Sequence, residues 1–182
     1  YRYILETITG DKTIIEYDAS GNVDIGGTLN SGGADVAELM QVDGDQSNYE
    51  FGDVLALNGE GKLIRAHKPY DTAVVGVHSS RPGLVGDYLK LDPVVGETTE
   101  QFKEREAKEG SRVPVGMVGI VYIKVTDENG EIRPGDLLTT SSTPGHAMKC
   151  TDKFKGIGAI LGKALQAHDC GEGRIRMVLQ PK

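Results

Sequence analysis

Residues 36 to 55, VAELMQVDGDQSNYEFGDVL, align without a gap on residues 119 to 138, GIVYIKVTDENGEIRPGDLL. Each copy reads as an alternating strand, an acidic turn and a Gly-Asp pair, with Gly52-Asp53 over Gly135-Asp136 and Leu55 over Leu138. Further on, TAVVGVHSS and GAILGKAL keep the correspondence after a three-residue difference in length, so that Gly76 falls against Gly162. A repeat of this kind predicts two related units packed on each other, because a few short strands cannot enclose a core alone. The chain has 25 glycines and few helix formers in series, which predicts many short strands joined by tight turns. The expected fold is an all-β, Gly-rich domain of two related halves.

Residues 1 to 33 read as three more strands, Tyr1 to Ile8, Lys12 to Asp18 and Val23 to Leu29, separated by the turn-forming sequences TGDK and ASGN. A ribbon of this size is marginal in water. It needs partners from the rest of the chain, from residues upstream, or from further copies, and self-association is the leading expectation. Between the two halves, residues 97 to 110, ETTEQFKEREAKEG, form the one helical stretch. Thr98 with Gln101 makes a capping box, Glu104 and Lys108 an i,i+4 pair, and Gly110 a left-handed stop. With only Phe102 and Ala107 apolar, this helix is expected as a surface insertion. Near the other end, Ile175, Met177 and Leu179 alternate with Arg174, Arg176 and Val178, the pattern of a half-buried strand.

Several functions are excluded. A net charge of -7 with no basic run gives no footprint for nucleic acid or an anionic membrane, and no apolar stretch is long enough to span a bilayer. Cys150 and Cys170 are too few for a disulfide framework and lack metal-type spacing, which favours free thiols over a disulfide or metal ligation. The histidines His67, His78, His146 and His168 form no metal-binding pattern. GIGAILGKAL, residues 156 to 165, fails the spacing of a phosphate-binding loop. Ser141 or Ser142 with His146 lacks a nucleophile elbow and an orienting carboxylate. Asp43 with Asp45 and Asp127 with Glu128 read as solvated turns; a calcium site at Asp43-Gly44-Asp45 is the weaker alternative. No cofactor and no metal is expected.

One carboxylate stands out. In an extended chain Val36, Glu38, Met40 and Val42 share a face, and Asp35, Ala37, Leu39 and Gln41 take the other. Glu38 thus sits on the oilier face, where it either accepts a hydrogen bond from a neighbouring strand or from Arg174 or Arg176, or serves as an acid/base with a raised pKa. Gly32-Gly33 upstream gives a backbone able to bend and to offer N–H groups to an oxyanion. The combination suits cleavage of the Ala34-Asp35 bond, but joint action of Asp35 and Glu38 needs a bulge between them.

The run GNVDIGGTLNSGGADVAELMQV, followed by FGDVLAL, YDTAVVGVHSSRPG, VGMVGIVYIKV and RPGDLLTTSSTPGHAMKC, resembles the C-terminal intramolecular-chaperone domain, the autocleaving class, of bacteriophage tail spikes and neck-appendage fibres. The resemblance covers roughly residues 22 to 180. It implies residues 1 to 33 as the end of a β-ribbon or β-helical fibre stem and residues 34 to 182 as a chaperone and capping domain. It further implies a homotrimer, contact with the upstream stem, a host-surface receptor as a further partner, and a place in a virion tail fibre. Cleaving members carry a Ser-Asp bond with a glutamate three residues on. That pattern puts the cut between Ala34 and Asp35 and the acid/base at Glu38, with Ala34 standing where the family has serine.

Overall fold

The computed structural model describes residues 3–6, 13–17, 22–25, 28–87, 96–108 and 110–180. The TGDK turn, and ASGN apart from Asn22, lie outside the described residues. The chain divides into two compact units, Tyr1–Gly32 and Gly33–Lys182. The first is an antiparallel meander of β1 (Tyr3–Glu6), β2 (Thr13–Tyr17) and β3 (Val23–Ile25), with Tyr17 opposite both Tyr3 and Val23.

The second unit holds β4 (Asp35–Gln41), β5 (Val54–Leu57), β6 (Leu63–Arg65), β7 (Val74–His78) and β8 (Leu84–Gly86). After α1 (Thr99–Lys108) come β9 (Arg112–Thr126), β10 (Leu137–Thr140), β11 (Ala147–Lys149), β12 (Ile160–Ala164) and β13 (Glu172–Leu179). The long strand β9 serves both halves. Its beginning pairs with β4 and β7; β7 pairs β5, β5 pairs β6, and a parallel bridge from Leu63 to Val42 returns to the end of β4. From Gly119 on, β9 pairs β13; β13 pairs β12, β12 pairs β10, β10 pairs β11, and the parallel contact Ala147↔Val125 returns to β9. Each half is therefore a small closed ring of strands with the same connectivity.

The residue correspondence read from the sequence holds in the registers. Leu55 faces Gly76 and Leu138 faces Gly162, each beside a bulge. Gly52 and Gly135 both take φ of 93°, and their N–H groups donate to the carbonyls of His78 and Ala164. Asp53 and Asp136 each accept a 2.8 Å bond from the backbone three residues back, at Glu50 and Arg133. The bulge glycines are required by contact: a Cβ would stand 2.3 Å from the Gly116 carbonyl oxygen at Gly76, and 2.0 Å from that of Val178 at Gly162. Only glycine lets two backbones approach so closely.

A large core gathers Val54, Val77, Ile123, Leu138, Leu161 and Met177 with their neighbours; a smaller one holds Val42, Leu55, Leu63, Val113 and Val115. Ile175, Met177 and Leu179 face inward on β13, as the alternation predicts. Charge also ties the halves together, because Lys124 Nζ on β9 reaches the fully buried Asp53 carboxylate at 2.7 Å and Glu50 at 2.7 Å. The helix has its capping box: Thr98 N–H donates to Gln101 Oε1 (3.0 Å) and Gln101 N–H to Thr98 Oγ1 (3.2 Å). Gly110 beyond it has φ of 82°; the Glu104–Lys108 pair and the Ala107 side chain lie outside the described residues.

β13 and β4 flank opposite edges of β9: Leu179 and Asp35 are both opposite Gly119, one on each side, and Ile120 N–H turns away from β13 to the Ala34 carbonyl.

Candidate functional site

The start of β4 carries the Ala34-Asp35 junction. Here β9 carries a bulge while β4 keeps its alternation. Val36 pairs with Val118, but the next pair is Ala37 with Gly116, and Met117 is left over in β9 as a bulge. Asp35 and Ala37 are both buried, at 6% and 0% exposure, while Val36 between them is 40% exposed, as side chains alternate in an extended strand. The expectation that Glu38 occupies the oilier face is corrected: the desolvated carboxylate is Asp35. Glu38 is only half-buried, and its carboxylate lies over Gly86, where an added Cβ would be 2.3 Å from Oε1. The Glu38 carboxylate forms no hydrogen bond or ion pair with a described residue, and Arg174 and Arg176 lie on β13 opposite Lys124 and Tyr122 instead.

The environment of Asp35 is asymmetric. Ser79, 3% exposed at the end of β7, donates its hydroxyl to Asp35 Oδ1 at 3.0 Å. Oδ2 is buried without a partner and lies over Gly116, where a Cβ would stand 2.9 Å away. Burial raises the Asp35 pKa, and the Ser79 bond offsets this only in part. The Ala34 carbonyl, at an exposed residue, accepts a 2.9 Å hydrogen bond from Ile120 N–H, and the Asp35 carbonyl a 2.7 Å bond from Gly83 N–H. Glycines make these approaches feasible. A side chain at Gly119, whose φ is 122°, would meet the Ala34 oxygen at 2.4 Å, and one at Gly33 would meet Gly83 N at 2.2 Å.

Sequence reasoning found Ala34, Asp35 and Glu38 but missed Ser79 and the Ile120 amide. The available signal for Ser79 was a hydroxyl closing the apolar strand VVGVH, where a buried position needs a polar partner. Beside Ser79, His78 is also buried with Nδ1 unpartnered, and its ring stacks obliquely on Phe51 at 4.8 Å. Burial holds the His78 pKa low against the opposing charge of Asp53.

The remaining candidates separate. Ser141 Oγ donates to the His146 carbonyl, not to its ring, and His146 Nδ1 lies 2.9 Å from the Pro144 carbonyl, so no nucleophile-base pair forms. Cys150 and Cys170 are free thiols. Asp45 caps the short turn Gln46–Asn48, and no cluster of three metal-ligating side chains occurs among the described residues. No helix among them is long and apolar enough to cross a membrane.

No family model and no curated protein sequence matches the chain. A solved structure does. The crystal structure of the pre-mature bacteriophage phi29 gene product 12 superposes with a TM-score of 0.62 at 16% identity, over 91% of this chain and 24% of that one. The fold is thus shared with part of a bacteriophage protein, and this chain spans about a quarter of that protein's length.

Proposed function

We propose that the chain is an assembly domain of a phage-type fibre, in which residues 34 to 182 bring three copies into register and cap the end of a stem that includes residues 1 to 33. One observation carries this reading: a row of exposed apolar side chains beside the junction. Val36 faces Leu84 of β8 on one side and Val118 of β9 on the other, and Ile120 and Tyr122 continue the row along β9. All five are between 40% and 52% exposed. Contiguous apolar surface of this kind marks an interaction site, and burying it is worth roughly 25 cal/mol per Å². The fitting occupant is a second copy, since apolar contact avoids bringing like charges together between copies of a chain with net charge -7. The shared fold with a phage protein described as pre-mature supports a fibre-related, virion-associated role. Fixing strand register early protects a slow-folding β fibre from mispairing at its edges. Native mass spectrometry tests the reading: trimers are expected, and the double substitution Ile120→Lys with Tyr122→Asp should give folded monomers. A wild-type chain that is monomeric at micromolar concentration refutes it.

A second reading is self-cleavage between Ala34 and Asp35. It is supported by the pairing of a carbonyl already held by an N–H donor with a desolvated carboxylate on the next residue, the two elements that amide cleavage needs. Asp35 and Glu38 are the acids at hand. Intact mass after prolonged incubation tests it through a fragment beginning at Asp35.

A further inference from the structure

We infer that Asp35 is itself the nucleophile that opens the Ala34-Asp35 bond, with Oδ2 as the attacking atom and Ser79 as the residue that aims it. This rests on the self-cleavage reading and replaces the serine that Ala34 lacks. Attack closes a ring of six atoms running from the Ala34 carbonyl carbon through N, Cα, Cβ and Cγ to Oδ2, so covalent geometry supplies the proximity that other enzymes build from distant residues. The two carboxylate oxygens are already differentiated. Oδ1 is engaged by the Ser79 hydroxyl at 3.0 Å, whereas Oδ2 is buried, without a partner, and kept clear by the absence of a side chain at Gly116. An unpartnered buried oxygen is costly, among the described residues only His78 Nδ1 shares that condition, and a reacting role accounts for the oxygen. Stripped of water, the carboxylate is also a stronger nucleophile than a solvated one.

The step balances. Oδ2 bonds to the Ala34 carbon, and the carbonyl electron pair moves to the oxygen that accepts from Ile120 N–H. On collapse the C–N bond breaks, and the Asp35 nitrogen takes a proton from water at the exposed junction and leaves as an amine. The product is a mixed anhydride between Ala34 and the Asp35 side chain. Water then adds to the anhydride, releasing the Ala34 carboxylate and restoring Asp35, so that one water is consumed per bond cut. Ser79 is a positioning residue: it acts on the orientation of the carboxylate and forms no covalent bond.

The test incubates the full chain with hydroxylamine and follows intact mass. Anhydride formation is expected to leave a hydroxamate on the Ala34 end of the upstream fragment. Asp35→Asn should lower the cleavage rate by about 100-fold or more and Ser79→Ala by about 10-fold, with Ser79→Thr restoring the rate. Cleavage of the Asp35→Asn chain at the wild-type rate overturns the assignment and leaves self-cleavage standing. A wild-type chain that stays whole overturns both. If the Asp35→Asn chain does not fold, the trap on the wild-type chain decides alone, and cleavage without hydroxamate overturns the assignment.

Discussion

Replacing Gly76 by alanine should destabilise the domain by about 3 kcal/mol, the upper end of the range for overpacking a well-filled core. The added Cβ would stand 2.3 Å from the Gly116 carbonyl oxygen and 2.8 Å from Val115 Cγ1. The first obstacle is backbone in the paired strand β9, so relief requires moving the strand that both halves share, not turning a side chain. Against a carbon-to-oxygen contact distance of about 3.2 Å, the strands must separate by close to 1 Å, which weakens the neighbouring ladder bonds as well. Gly59 provides the control. It has no atom within 4 Å of its virtual Cβ, and Gly59→Ala should be neutral or stabilise by up to about 1 kcal/mol through the unfolded chain. Urea unfolding at matched protomer concentration measures both, and Gly76→Ala should lower the melting temperature by roughly 6–12 °C in a domain of this size. The contact argument fails if Gly76→Ala unfolds within about 0.5 kcal/mol of wild type, or if Gly59→Ala costs as much.

Two further outcomes are expected. Lys124→Met strands the fully buried Asp53 charge and should cost about 3–5 kcal/mol by denaturant unfolding; adding Asp53→Asn to it should recover much of the loss, and no recovery would mean that the pair is not coupled. Asp35 is favoured in its protonated form by folding, since burial raises its pKa above the unfolded value. Its contribution is therefore fully present below the unfolded pKa and is lost as pH rises through the folded one. Asp35→Asn should accordingly gain stability relative to wild type between about pH 4 and pH 7, and equal pH slopes for the two proteins would contradict the burial argument.

The halves were legible in the sequence because their defining constraint is local and repeated. Leu55 with Gly76 and Leu138 with Gly162 mark the same bulge twice, and the need for glycine there leaves a visible trace. The face of the strand carrying Asp35 was not legible. Asp35 and Ala37 alternate with Val36 as in any extended strand, but which of the two faces turns inward is decided by strands far away in sequence that close around β4, so no pattern within residues 34 to 42 could reveal it. Ser79 and the Ile120 amide escaped for the same reason: each reaches Asp35 or Ala34 only after β7 and β9 have closed around β4. The capping box at Thr98 and Gln101, whose partners are three residues apart, was read correctly from the letters alone.

The place of Asp35 at the very start of β4 gives the domain an unusual tolerance for a break at that spot. β9 passes from one half to the other as unbroken chain, with β4 paired along one of its edges and β13 along the other. Severing Ala34 from Asp35 would remove no strand from either ring, and the fresh ends would stay moored, one through the Ala34 oxygen to Ile120 and the other through the Asp35 carbonyl to Gly83. A nicked protein should therefore keep its shape, and the two fragments should part only when something pulls residue 34 out of its berth.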